Sequence, residues 1–140
     1  MNKKIYEVAD ALIREGIKKA EEIGVAMVFA VADDGGNLVA FRRMEGSFLI
    51  SVDVAQSKAF GALALNMPTH EMAPAMQPGG PIYGMQTMHG GKLVPFGGGY
   101  PLYADGELIG GFGASGGTVE EDMLCAQSAI RAVEGLADPK

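Results

Sequence analysis

The apolar run from Val25 to Ala32, Val-Ala-Met-Val-Phe-Ala-Val-Ala, most constrains what this chain can fold into. A strand with water on one face alternates apolar and polar residues, whereas this run has no polar position, so both of its faces must be covered. The turn formers Asp33-Asp34-Gly35-Gly36-Asn37 follow, and then a second extended stretch, Leu38–Arg43, which together read as a β-hairpin. Covering both faces requires helices on both sides of a sheet.

The rest of the chain supplies them. Ile5, Val8, Ala9, Leu12, Ile13, Ile17, Ala20 and Ile23 recur at helical spacing, with charged residues between them and Gly24 as the stop. Residues 48–65 form a second helix whose only ionisable groups are Asp53 and Lys58, so it is packed around most of its circumference. Thr118 and Glu121 have the spacing of a capping box, and Glu120, Glu121 and Asp122 put negative charge on the positive end of a last helix. Between these helices, residues 67–91 hold four prolines, five methionines and both histidines, a long loop with one or two short helical turns. Three extended pieces follow, 92–96, 100–104 and 107–113, the last two joined by an Asp105-Gly106 turn, and residues 136–140 read as a frayed tail. One domain over 1–140, of α/β (α+β) class with a five-stranded antiparallel sheet between helices, is the simplest closure.

A net charge of −6 argues against nucleic acid or an anionic membrane as a partner, since both select for Lys and Arg. A single cysteine, Cys125, and an N-terminus without the apolar core of a signal peptide point to the cytoplasm. Glycine is the compositional outlier, with 21 in 140 residues, and fourteen of these lie between Gly79 and Gly117.

Those glycines define the first candidate site. Gly97-Gly98-Gly99, and Ser115-Gly116-Gly117 opening the helix at Thr118, offer backbone N–H groups to an anion, or else permit tight turns and close helix–sheet packing. Lys58, a lone cation in an apolar helix, is either a buried clamp or base, or a lysine that snorkels or pairs with Asp53 or Asp33. Arg42 and Arg43 can hold a carboxylate or form surface ion pairs. His70 and His89, set among methionines, are the only candidates for a metal or haem iron, yet their spacing matches no metal motif.

Val31 to Gly46, Ser51-Val52-Asp53-Val54-Ala55 with Lys58-Ala59, Pro95 to Gly99 with Pro101-Leu102, and Gly113 to Thr118 with Glu121-Asp122 together resemble the GlcG/HbpS family, which includes the C-terminal domain of PduO-type proteins. The resemblance covers nearly the whole chain in order. It implies a profilin-like three-layer α/β/α domain with an extra N-terminal helix, assembled as a homo-oligomer. It also implies a link to haem, to corrinoid chemistry in diol or glycerol utilisation, or to glycolate oxidation. Haem binders of the family tend to use a histidine in the first helix, and residues 5–23 have none, so His70 or His89 would have to serve here.

Three functional readings follow. The first is a cytoplasmic, oligomeric accessory protein binding a small acidic or tetrapyrrole-like ligand, haem or corrinoid, between the Lys58 helix, Gly97–Gly99 and the Thr118 helix start. A second is a small-molecule isomerase or lyase with Lys58 as base. The third is a structural oligomer whose Met-rich loop packs on a neighbouring subunit.

Overall fold

The computed structural model describes residues 3–139. Helix α1 spans Lys4–Ile23 and stops at Gly24, whose left-handed backbone lets its N–H donate to the Ala20 and Glu21 carbonyls. Strands β1 (Val28–Asp33) and β2 (Leu38–Arg43) form the expected hairpin, followed by α2 (Ile50–Leu65) and a short helix α3 (Thr69–Met72). Three 3₁₀ turns carry the chain to β3 (Gly99–Ala104), β4 (Glu107–Ser115) and α4 (Val119–Ala132). The four strands pair antiparallel in the order β2-β1-β4-β3, giving a mixed α+β fold.

Every residue of β1 is buried, as its composition demands. Phe29 and Val31 face one core, shared with Ile5, Val8 and Leu12 of α1 and Cys125, Ala126 and Ile130 of α4. Val28, Ala30 and Ala32 face the other side, against Ala55 and Ala59 of α2.

Glycines in the strands decide how α2 sits. Gly99 pairs with Gly113 across β3 and β4, and a Cβ at Gly113 would lie 2.1 Å from the Ala55 carbonyl oxygen. At Gly111 it would lie 2.2 Å from the Ala59 carbonyl, and at Gly99 2.3 Å from that of Lys58. The helix backbone therefore rests directly on a bare patch of sheet, its own contact residues being alanines. Of the two readings of these glycines, close helix–sheet packing is the one the fold uses.

Two expectations are corrected. Four strands form among the described residues rather than five, because residues 92–96 leave the sheet. Pro95 has no N–H for a ladder, and Leu93 turns inward to pack on Met72 and Met76. Nor is the C-terminal stretch frayed over its described part. Leu136 packs on the main core, the Ala137 N–H donates to the Tyr103 carbonyl at 2.9 Å, and Pro139 is buried. The capping box at Thr118 forms in full, with the Glu121 N–H donating to Thr118 Oγ1 and the Thr118 N–H to Glu121 Oε1. Among the described residues, no helix is long and apolar enough to cross a membrane.

Candidate functional site

Lys58 is fully buried. Alanines flank it on α2, and its stem runs past Gly98, where a Cβ would stand 2.6 Å from the lysine Nζ. The amine donates to Asp122 Oδ2 at 2.7 Å and to the Ala114 carbonyl at 2.9 Å, and it lies 5.2 Å from the centre of the Phe96 ring. Burial excludes snorkelling. The paired carboxylate is Asp122 of α4, not Asp53 or Asp33 as the sequence suggested: Asp53 is exposed, and Asp33 is engaged by Gly35 and Asn37 of its own turn.

Asp122 also answers the anion question at the glycine-rich strand end. Its Oδ1 accepts the Gly117 N–H at 2.8 Å, and the Gly116 N–H also bonds to its carboxylate. The donors that could have held a ligand therefore hold the chain's own side chain, while Thr118 N–H is taken by Glu121. Burial pushes the Lys58 amine down from the ordinary lysine range against the pull of Asp122. It also pushes the Asp122 carboxyl up, opposed by Lys58 and by the two glycine N–H groups. An ion pair completed by backbone bonds in this way fastens α2 to the start of α4. Its amine, with its neighbours satisfied and no exposure, is not presented to a substrate.

The remaining candidates scatter. Ser115 is buried and its hydroxyl bonds to that of Ser51 on α2. Arg43 lies in one row across the sheet with Val28 and Ser115 and donates to the Ser47 carbonyl at 3.2 Å. Arg42 points to the opposite face, into a shallow groove along α1 beside Ile13, Arg14 and Ile17. Lys58 and the glycines 97–99 and 116–117 do come together, but in a filled interior; the arginines do not join them. His70, half-buried on α3, tilts against Tyr100 with ring centres 5.8 Å apart, and its buried Nδ1 has no hydrogen-bond partner. His89 is exposed and stacks on Phe60.

Open space lies elsewhere. One cleft of about 430 Å³ is bounded by the segment 66–68, Tyr100, Tyr103 and the C-terminal residues 137–139. A second, of about 570 Å³, lies between the β1–β2 turn, the outer face of α2 and the Gly90–Lys92 turn. Phe60 and Lys92, which line it, carried no signal in the sequence, since they meet only through the folded loop. The segment from Met72 to Leu93 is held by a small apolar cluster that also takes in Phe60 and Leu65 of α2, so three of the five loop methionines, Met72, Met76 and Met85, pack within the chain.

The sequence pattern of the family described as haem-degrading protein HbpS-like matches residues 6–131. The chain belongs to this HbpS-like family. Its relatives include an uncharacterised 15.0 kDa protein of the dhaT-dhaS intergenic region of Citrobacter freundii, 46% identical over 80% of this chain and 79% of the relative. The corrinoid adenosyltransferase PduO of the same organism is 43% identical over 91% of this chain, which spans only 38% of that longer protein. Among solved structures, a crystal structure of a PduOC:heme complex superposes with a TM-score of 0.90 at 39% identity, covering 96% of both chains. In PduO the matching region is part of a longer protein. Among the described residues, no group of three or more His, Cys, Asp or Glu side chains is placed to hold a metal ion.

Proposed function

We propose that this HbpS-like chain is a ligand-binding accessory protein whose ligand is an acidic tetrapyrrole, haem in the first instance. The observation that carries the reading is the match, over 96% of both chains, to a domain solved as a heme complex. The imidazoles the chain offers to haem iron are those of His70, half-buried, and His89, exposed. Kinship to a corrinoid adenosyltransferase supports a corrinoid as the second ligand to try, and a place beside diol or glycerol utilisation. Helices on both faces of the sheet favour the profilin-like layering that the resemblance implies. The cytoplasm is the compartment proposed.

Titration of the purified protein with haemin, followed by the Soret band and by thermal unfolding, tests the reading. A saturable Soret change with a raised melting temperature is expected, because a ligand that binds only the folded state stabilises it. Titrations with haemin and with aquacobalamin that both leave the spectrum and the melting temperature unmoved overturn it.

A homo-oligomer is proposed on a separate observation. Phe48, Leu49 and Ile50, at the entry to α2, are 69%, 79% and 66% exposed, a contiguous apolar patch of the kind that marks contact surfaces. Leu49→Asp is expected to lower the mass measured by light scattering; an unchanged mass removes this patch from the interface.

A further inference from the structure

We infer that the cleft between the β1–β2 turn and the outer face of α2 binds a small, uncharged polyhydroxylated compound, a polyol or a monosaccharide. The inference goes beyond the tetrapyrrole reading and does not rest on it, because the lining holds no imidazole for an iron. At about 570 Å³ the cleft falls within the usual ~300–1,000 Å³ of small-molecule sites. Its charges cancel. Asp53 supplies one carboxylate and Lys92 one ammonium, and among the described residues neither is in an ion pair. An anion is repelled by the first and a cation by the second, so the lining selects against both and favours a neutral molecule.

The polar side chains of the lining are anchored yet keep unused hydrogen-bonding atoms. Asn37 donates its Nδ2 to the Asp33 carboxylate at 3.2 Å, which leaves its Oδ1 without a partner among the described residues. Gln56 is anchored in the same way, its Nε2 donating to the Val52 carbonyl at 2.9 Å while its Oε1 stays unbonded. Two amide acceptors are therefore set in place before any ligand arrives, which lowers the ordering cost of binding. The Asp53 carboxylate adds acceptors, whereas the Ser57 hydroxyl and the Lys92 ammonium add donors. A hydroxyl meets both kinds of group from a single uncharged atom, and a ligand carrying several of them matches the mixture. Phe60 and Leu38 give the C–H surface of such a ligand an apolar wall, with the Lys92 ammonium held 5.5 Å from the centre of the Phe60 ring. On the remaining wall a Cβ at Gly90 or Gly91 would meet nothing within 4 Å, so a ligand there reaches bare main chain.

The test is a series of amide NMR titrations of the isotope-labelled protein with glycerol, ribitol and glucose in turn, and with acetate and choline as charged comparators. At least one of the three hydroxylated probes is expected to give saturable shifts in the side-chain amide signals of Asn37 and Gln56 and in the backbone signals of Gly90 and Gly91. The probe that saturates at the lowest concentration distinguishes an open-chain polyol from a ring sugar. Asp53→Ala and Gln56→Ala lie outside the apolar cores and are expected to fold, with far-UV circular dichroism as the check. Each is expected to raise the saturation midpoint at least about tenfold. Shifts that grow in proportion to concentration and spread over the whole surface are a solvent effect and overturn the proposal. Saturation that ignores both substitutions, or that centres on residues 66–68 and 137–139 of the other cleft, overturns the site. Acetate or choline saturating below all three hydroxylated probes overturns the neutral ligand. None of these outcomes bears on the haemin titration, so failure here leaves the tetrapyrrole reading standing, and failure there leaves this site untouched.

Discussion

Lys58 and Asp122 are worth most as a pair. Lys58→Met strands a carboxylate in the interior and Asp122→Leu strands an amine, and breaking a buried pair from one side costs about 3–5 kcal/mol. The double variant removes both charges, and urea denaturation is expected to show it more stable than either single variant. Equal losses that simply add would deny the coupling. A second residue controls the acid side. Asp33 is pushed up by burial, but hydrogen bonds from Asn37 and Gly35 outweigh this and hold its carboxyl below the ordinary aspartate range. A lowered folded-state value means stability that is complete above the unfolded value, near ~3.9, and lost as pH falls through the folded one. Melting temperatures followed from pH 5 to pH 2 are expected to fall less steeply in Asp33→Asn than in the wild type; parallel curves would remove Asp33 from the acid response. Lys58 was legible in the sequence as an anomaly, one cation among alanines. Its partner was not: Asp122 was visible only as a first-turn acid, because the two residues lie 64 positions apart and meet only once the sheet is formed.

At the level of elements, the contact between α2 and the sheet depends on the absence of side chains. Gly113→Ala places a methyl 2.1 Å from the Ala55 carbonyl, and relief requires the whole helix to lift, so a loss at or above the usual ~1–3 kcal/mol of overpacking is expected. Gly84→Ala is the contrast. Its φ of 103° penalises a side chain but nothing lies within 4 Å, so about 1 kcal/mol is expected. Guanidinium unfolding of the two variants checks the order, and a Gly84 substitution as costly as that at Gly113 would deny the seam its role. The hairpins, the end of α1 and the cap of α4 could be read beforehand because each is written in neighbouring residues: Asp33–Asn37, Gly24, Thr118 with Glu121. The supposed strand at 92–96 could not be resolved in that way. Its residues suit a strand locally, and only the apolar cluster formed with Met72 and Met76 draws Leu93 out of the sheet. Likewise the site expected between Lys58 and the glycines has the right members but no room, since whether glycine leaves a gap or closes one depends on what the fold presses against it.

For the molecule as a whole, α1, α4 and the C-terminal residues enclose one side of the sheet while α2 alone closes the core of the other. Removing residues 137–140 takes away the bond to Tyr103 and the buried Pro139, so a drop of several degrees in melting temperature is expected, on the scale of ~1–2 kcal/mol. An unchanged melting temperature would return the tail to the status of a loose end. Cys125, on α4, sits in the larger core with no exposure, and burial pushes its thiol up to about 11. A disulfide reagent at pH 8 therefore meets neither an accessible sulfur nor an appreciable thiolate until α4 parts from the sheet. The chain has no second cysteine to confuse the signal. The wild-type protein thus carries its own clock: the rate at which this one thiol reacts times the opening of the α4 face, and slowing by an added ligand can be read from it without any label.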